Sequence, residues 1–180
     1  MADASVRPTK AEDSGEIARI QATVWAAVHH DTLPAELLAE VGSGEAAEQW
    51  RLAATAPADP RQRVLTALSD EQVVGFVAVA PAEDPDLDPA HDGELVALCV
   101  DPSARGAGHG SRRVNAAAAT ATEQGMNSLH VWVSPAEADL RVFLAGAGWR
   151  PDGARRDLDL RGDGDVVLAQ TRLHVSLLES

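Results

Sequence analysis

The chain predicts a mixed α/β fold, a sheet of about seven strands flanked by about four helices. Three observations carry that expectation. Apolar residues recur at three- and four-residue steps in some segments and as short β-rich runs in others. Turn residues separate the two kinds of segment. No stretch repeats at a fixed period, which sets solenoids and propellers aside. With 180 residues, the chain is expected to form one domain, 1–180, able to bury a core without disulfides or a structural metal.

The elements follow in order. Residues 4–7 read as a first strand ending at Pro8. Glu12, Asp13 and Ser14 supply helix-start chemistry, and Ile17, Ile20, Val24 and Val28 then mark an amphipathic helix. Pro34 opens a second helical stretch that pauses at Gly42-Ser43-Gly44 and resumes to Trp50. Residues 64–68 and 73–80, joined at Ser69-Asp70-Glu71, read as a β-hairpin. An acidic, proline-bearing loop over 81–92 leads to a third apolar run, 94–100. A glycine-rich turn, a helix over 111–124, a strand over 129–133 and a helix over 136–145 come next. Two closing strands, 154–160 and 166–177, are joined by Gly162-Asp163-Gly164.

Composition narrows the function. Fifteen basic against 28 acidic residues give a formal charge of −13, a field that repels nucleic acid phosphates and favours a cationic partner, or simply keeps the protein in solution. No apolar run approaches the roughly 20 residues of a membrane-spanning helix, and the N-terminus lacks the apolar stretch of a signal peptide. One cysteine, Cys99, suits a reducing compartment. A cytoplasmic protein that binds neither nucleic acid nor membrane is expected. Six scattered histidines offer no convergent metal-ligand spacing, so no metal is expected. His29-His30-Asp31 form either a polar helix end or part of a pocket, and Trp25, Trp50 and Trp149 are core or pocket-wall residues.

The richest stretch is Arg105-Gly106-Ala107-Gly108-His109-Gly110-Ser111, between a strand and a helix start. Glycines let the backbone approach a ligand, and the N–H groups of the helix start form an anion site. Taken alone, the cluster also fits an ordinary tight turn. It is not a P-loop, because Gly110 is followed by Ser111-Arg112 rather than Lys-Ser/Thr. Nor is it a dinucleotide fingerprint, because Gly106, Gly108 and Gly110 alternate instead of following G-x-G-x-x-G.

Arg105 through Gly110 resembles the acetyl-CoA signature of the Gcn5-related N-acetyltransferases, Gln/Arg-x-x-Gly-x-Gly/Ala. The run from Gly93 to Pro102 resembles that family's fourth strand, and Gly148-Trp149 the end of its fourth helix. The resemblance implies a twisted, mostly antiparallel sheet whose fourth and fifth strands are parallel and splay apart around acetyl-CoA. The N–H groups of Arg105, Gly106, Ala107, Gly108, His109, Gly110 and Ser111 would hold the pyrophosphate. The backbone of Leu98, Cys99 and Val100 would flank the pantetheine and stabilise the oxyanion, with Phe143 also at the cofactor. Glu94 would be the base that takes the amine's proton, if it is not a solvated strand-start residue. A small-molecule or peptide amine is the implied acceptor, with a cationic one favoured by the acidic surface, and the protein is a monomer or a homodimer.

Two positions depart from the family pattern. Glu137 stands where an asparagine commonly touches pantetheine, and Leu144 where a tyrosine often protonates the leaving thiolate. The chain has no tyrosine at all. Cys99 is a conceivable donor, though a buried thiol is the simpler reading. An acyl-CoA-binding regulatory module with little turnover is the second reading, and a protein-interaction domain with a vestigial turn the third.

Overall fold

The computed structural model describes residues 4–104, 106 and 109–178. Its seven strands are β1 (Ala4–Pro8), β2 (Arg63–Ser69), β3 (Gln72–Pro81), β4 (Asp92–Val100), β5 (Ser128–Val133), β6 (Arg150–Asp159) and β7 (Val167–Ser176). The α-helices are α1 (Ser14–His29), α2 (Ala35–Val41), α3 (Gly44–Thr55), α4 (His109–Glu123) and α5 (Ala138–Gly146). One sheet runs in the order β1-β2-β3-β4-β5-β7-β6, and every neighbouring pair is antiparallel except β4 with β5. No helix among the described residues is long and apolar enough to cross a membrane.

Local chemistry accounts for most boundaries. Asp13 precedes α1 and accepts the Lys10 amide at 2.8 Å and the Arg7 guanidinium at 2.7 and 3.0 Å. The pause at Gly42-Ser43-Gly44 proves to be a true break, so five α-helices stand where about four were expected. Ser43 caps a new helix there by accepting the Ala46 amide. The β2–β3 turn places Asp70 and Glu71 at positive φ, the conformation that matches a two-residue hairpin to the strand twist. β6 starts four residues earlier than expected. Pro151 and Gly153 are residue types more common in turns than in strands, yet Pro151 sits on an edge strand, where a residue without an N–H is tolerated.

Two cores sandwich the sheet. On one face, α4 and α5 cover Val77, Val79, Leu95, Leu129, Val131 and Leu173, and Leu144 and Trp149 close this cluster. On the other, Ile17 and Ile20 of α1 pack with Val64, Phe76, Ala78 and Cys99. Trp50 of α3 completes that side, meeting Phe76 edge-on at 4.9 Å and donating to Gln21 at 2.8 Å.

Candidate active site

The site begins with a fault in pairing. β4 and β5 are paired only over Asp92–Ser128, Gly93–Leu129 and Glu94–His130. Beyond Glu94 the strands separate. On the other edge of β4, Ala78 pairs with Ala97 and Val79 with Leu95, so Val96 is an extra residue, a β-bulge, and it is exposed. A bulge bends its strand and resets which face each side chain meets. Leu95 therefore enters the α4-side core while Cys99, four residues on, enters the α1-side core. Strict alternation would have put both on one face.

The opening is a cleft of about 590 Å³. Its walls are Val24 and Val28 of α1, Leu98 and Val100 of β4, and Leu140 and Phe143 of α5. Gly106, Gly110 and Ser111 line its far end, where α4 begins. The first-turn N–H groups of a helix have no acceptor within the helix and attract anions. Gly106 has a φ of +86°, which a side chain would disfavour. At Gly110 a Cβ would lie 3.1 Å from the Phe143 ring, so glycine keeps this passage open. A helix start for phosphate and an apolar channel for a pantetheine arm fit CoA as a ligand.

Of the residues expected at the cofactor, Leu98, Val100, Gly106, Gly110, Ser111 and Phe143 line this cleft. His109 begins α4. Arg105, Ala107 and Gly108 lie outside the described residues. Cys99 does not line the cleft. Its thiol is in the core, and burial pushes it up to about 12.

Glu94 is the last residue of β4 to pair with β5 and so sits at the vertex of the splay. Burial raises its carboxyl above the usual range. Arg156 and Arg172 oppose that rise, while Asp84 and Glu83 add to it. The positions that depart from the family pattern are also placed. Glu137 lines the cleft and accepts the Ser134 amide at 2.7 Å. Leu144 is fully buried in the core.

Sequence reasoning missed one cluster beside Glu94. Arg172 donates to Asp86 at 2.9 Å, Asp84 at 3.2 Å and Asp152 at 2.6 Å, fastening the loop between β3 and β4 to β7 and β6. Trp132 of β5 donates to Asp84 at 3.0 Å, and the Arg156 guanidinium lies 4.3 Å above its ring. These residues come from a loop and three strands, and no local spacing announces them.

With this geometry, known proteins offer a direct comparison. Residues 23–149 match the Acetyltransferase (GNAT) family. Uncharacterized N-acetyltransferases of Mycobacterium bovis and Mycobacterium tuberculosis are 30% identical over 115 residues, covering 62% of this chain and 69% of theirs. The structure of yncA from Salmonella typhimurium with acetyl-CoA superposes with a TM-score of 0.72 at 16% identity, covering 99% of this chain and 96% of that one. The paia N-acetyltransferase of Thermoplasma acidophilum, solved with coenzyme A, gives 0.73 at 14% identity, covering 97% and 99%. The order of strands, the single parallel pair and the cleft beside it are thus those of a known fold, and the chain belongs to the GNAT family of acetyl-CoA-dependent acetyltransferases.

Proposed function

We propose that the chain acetylates the primary amine of a small molecule or peptide, by direct attack in a ternary complex. The carrying observation is the separation of β4 from β5 beyond the Glu94–His130 pair. It leaves an opening with a helix start at one end, and Glu94 stands where the strands part, beside the cleft rather than among the residues that line it. Acetyl-CoA supplies the activated acyl group. The α4 start holds phosphate, and the apolar walls exclude water from the arm. Those backbone amides of β4 past Glu94 that face away from β3 have no β5 partner, so they are free to bond the acyl oxygen as it gains charge. Glu94 accepts the amine's proton as the N–C bond forms, and the C–S bond then breaks with its electron pair leaving on sulfur, releasing CoA as the thiolate. Its raised affinity for protons matches it to that work.

The test is the pH profile of kcat/KM in a coupled CoA-release assay over a panel of amines. Glu94→Gln is expected to lower kcat by about 100-fold or more and to remove the acidic limb. An unchanged profile in that variant would assign the proton to another group.

A second reading, an acyl-CoA-binding module with little turnover, is favoured by Leu144. It stands where the family's tyrosine commonly stands, deep in the core, in a chain without tyrosine. Tight acetyl-CoA binding with no CoA release across the panel would select it.

A further inference from the structure

The helices α1 and α3 pack on β2, β3 and β4. On that same side of the sheet, Glu94, Trp132, Arg156 and Arg172 meet beyond the helices, beneath the 82–91 loop. Most charges in this patch are engaged with one another. Asp84, Asp86 and Asp152 converge on Arg172, which is almost fully buried. Two groups lack a close ionic partner, although each feels the other's charge. Among the described residues the Glu94 side chain makes no hydrogen bond, and burial raises its carboxyl. Arg156 bonds only through Nε, to Gln170 of β7 at 2.8 Å. Its nearest carboxylate is Asp84, 4.0 Å from Nη1.

The Arg156 guanidinium is nonetheless held in place. The Trp132 ring fixes its plane from below, and Gln170 fixes its rotation. Both terminal nitrogens remain open, and a third of the side chain is exposed. With Nε taken by Gln170, the Nη1–Nη2 edge is the one left to receive a carboxylate in two parallel hydrogen bonds. Because Trp132 is already covered by Arg156, an acceptor cation has no aromatic face here to stack on. An available guanidinium beside an available carboxylate complements a zwitterion. A zwitterion also carries no net charge, so the field of a −13 chain does not repel it.

We infer that the acceptor is a free amino acid or close analogue, its amine at Glu94 and its carboxylate on the Nη edge of Arg156. The inference rests on the acetyl-transfer reading above and narrows its acceptor from any primary amine to one with a neighbouring carboxylate. It replaces the cationic acceptor that net charge alone suggests.

The test follows CoA release from acetyl-CoA with the proteinogenic amino acids, the amide of each and the decarboxylated amine of each. At least one amino acid is expected to exceed its own amide and amine in kcat/KM by about 100-fold, the scale of a charge-assisted bidentate contact. Arg156→Gln is expected to raise KM for that amino acid by a similar factor, with kcat within a few-fold and acetyl-CoA affinity unchanged. Arg156→Lys is expected to recover part of the loss. Amides or decarboxylated amines used as well as the acids would overturn the acceptor assignment and leave acetyl transfer standing. So would an Arg156→Gln variant that loses kcat on acids and amides alike, because Arg156 would then act on Glu94 rather than on the acceptor. No release with any of these compounds or with the wider amine panel, while acetyl-CoA still binds, would overturn the acetyl-transfer reading and the inference with it. The comparison of acids with amides on the unaltered protein needs no variant to fold.

Discussion

Arg113 of α4 has no solvent exposure, and none of its three guanidinium nitrogens finds a hydrogen-bond partner among the described residues. It fills the space beside Gly75 of β3, where an added Cβ would lie 2.0 Å from Nη1. Burial lowers its pKa well below the ordinary guanidinium value, to about 10. That difference corresponds to a penalty of about 3 kcal/mol on the charged form in the folded state. Replacing the group with methionine, of similar length and apolar, removes the penalty and keeps the packing of the stem. Exchanges of buried charge for apolar side chains have gained about 1–4 kcal/mol. For a chain of this size, a gain in the middle of that range raises Tm by about 4–10 °C. Thermal unfolding followed by circular dichroism at pH 7, with urea midpoints at the same pH, measures the gain. An Arg113→Met protein that melts lower than the parent would refute the reasoning and show that the guanidinium has partners.

Three further outcomes are expected. Gly110→Val places methyl groups where a Cβ already meets the Phe143 ring at 3.1 Å, so calorimetry is expected to show at least about a tenfold loss of acetyl-CoA affinity. An unchanged Kd with a normal Tm would remove the cofactor from this cleft. Arg172→Met leaves Asp84 and Asp152 without their shared partner and is expected to cost about 3 kcal/mol in urea unfolding; a loss below 0.5 on the same scale, roughly that of a surface pair, would argue against a structural role. Acid is expected to act in two stages. Burial lowers His29 and His130 below 6.5, so the fold loses stability as pH falls below 6.5 toward their folded values. The carboxyls of Asp86 and Asp101, held at about 2 against 3.8 by their hydrogen-bonded partners, contribute stability above 3.8 that is lost as pH falls through 2. A urea midpoint that stays flat from pH 6.5 to 5 would contradict the burial of the two histidines as neutral rings.

The fold was legible wherever a local rule decided it. The spacing of Ile17, Ile20 and Val24 requires an amphipathic helix, and the turn at Asp70-Glu71 requires a hairpin. It was not legible where pairing on both edges of a strand decided it. Nothing in Glu94-Leu95-Val96-Ala97-Leu98-Cys99 marks Val96 as the bulged residue. Its apolar side chain reads like its neighbours, and the extra residue shows only in the register of β4 against β3. The start of β6 was hidden for a related reason. Pro151 and Gly153 carry turn chemistry, but the strand tolerates them at an edge, with a register shift before Arg155 that brings Asp152 to Arg172.

The same contrast divides the site. Phosphate is held by consecutive backbone N–H groups at a helix start, which demands glycines in a row, and a row is visible in sequence. That is why the turn around Gly106 and Gly110 identified the cleft, whereas Glu94 could be named only by family likeness. Recognition on the other side uses side-chain forks, and a sheet assembles these from strands far apart in the chain. Arg156, Gln170, Trp132 and Glu94 belong to four different strands, and they meet only because the order β4-β5-β7-β6 places β7 between β5 and β6. A donor bound through the backbone is therefore written in a motif, while an acceptor bound through side chains is written in topology. Exchanging Arg156 or Trp132 would accordingly change the acceptor side while leaving the helix start of α4 untouched.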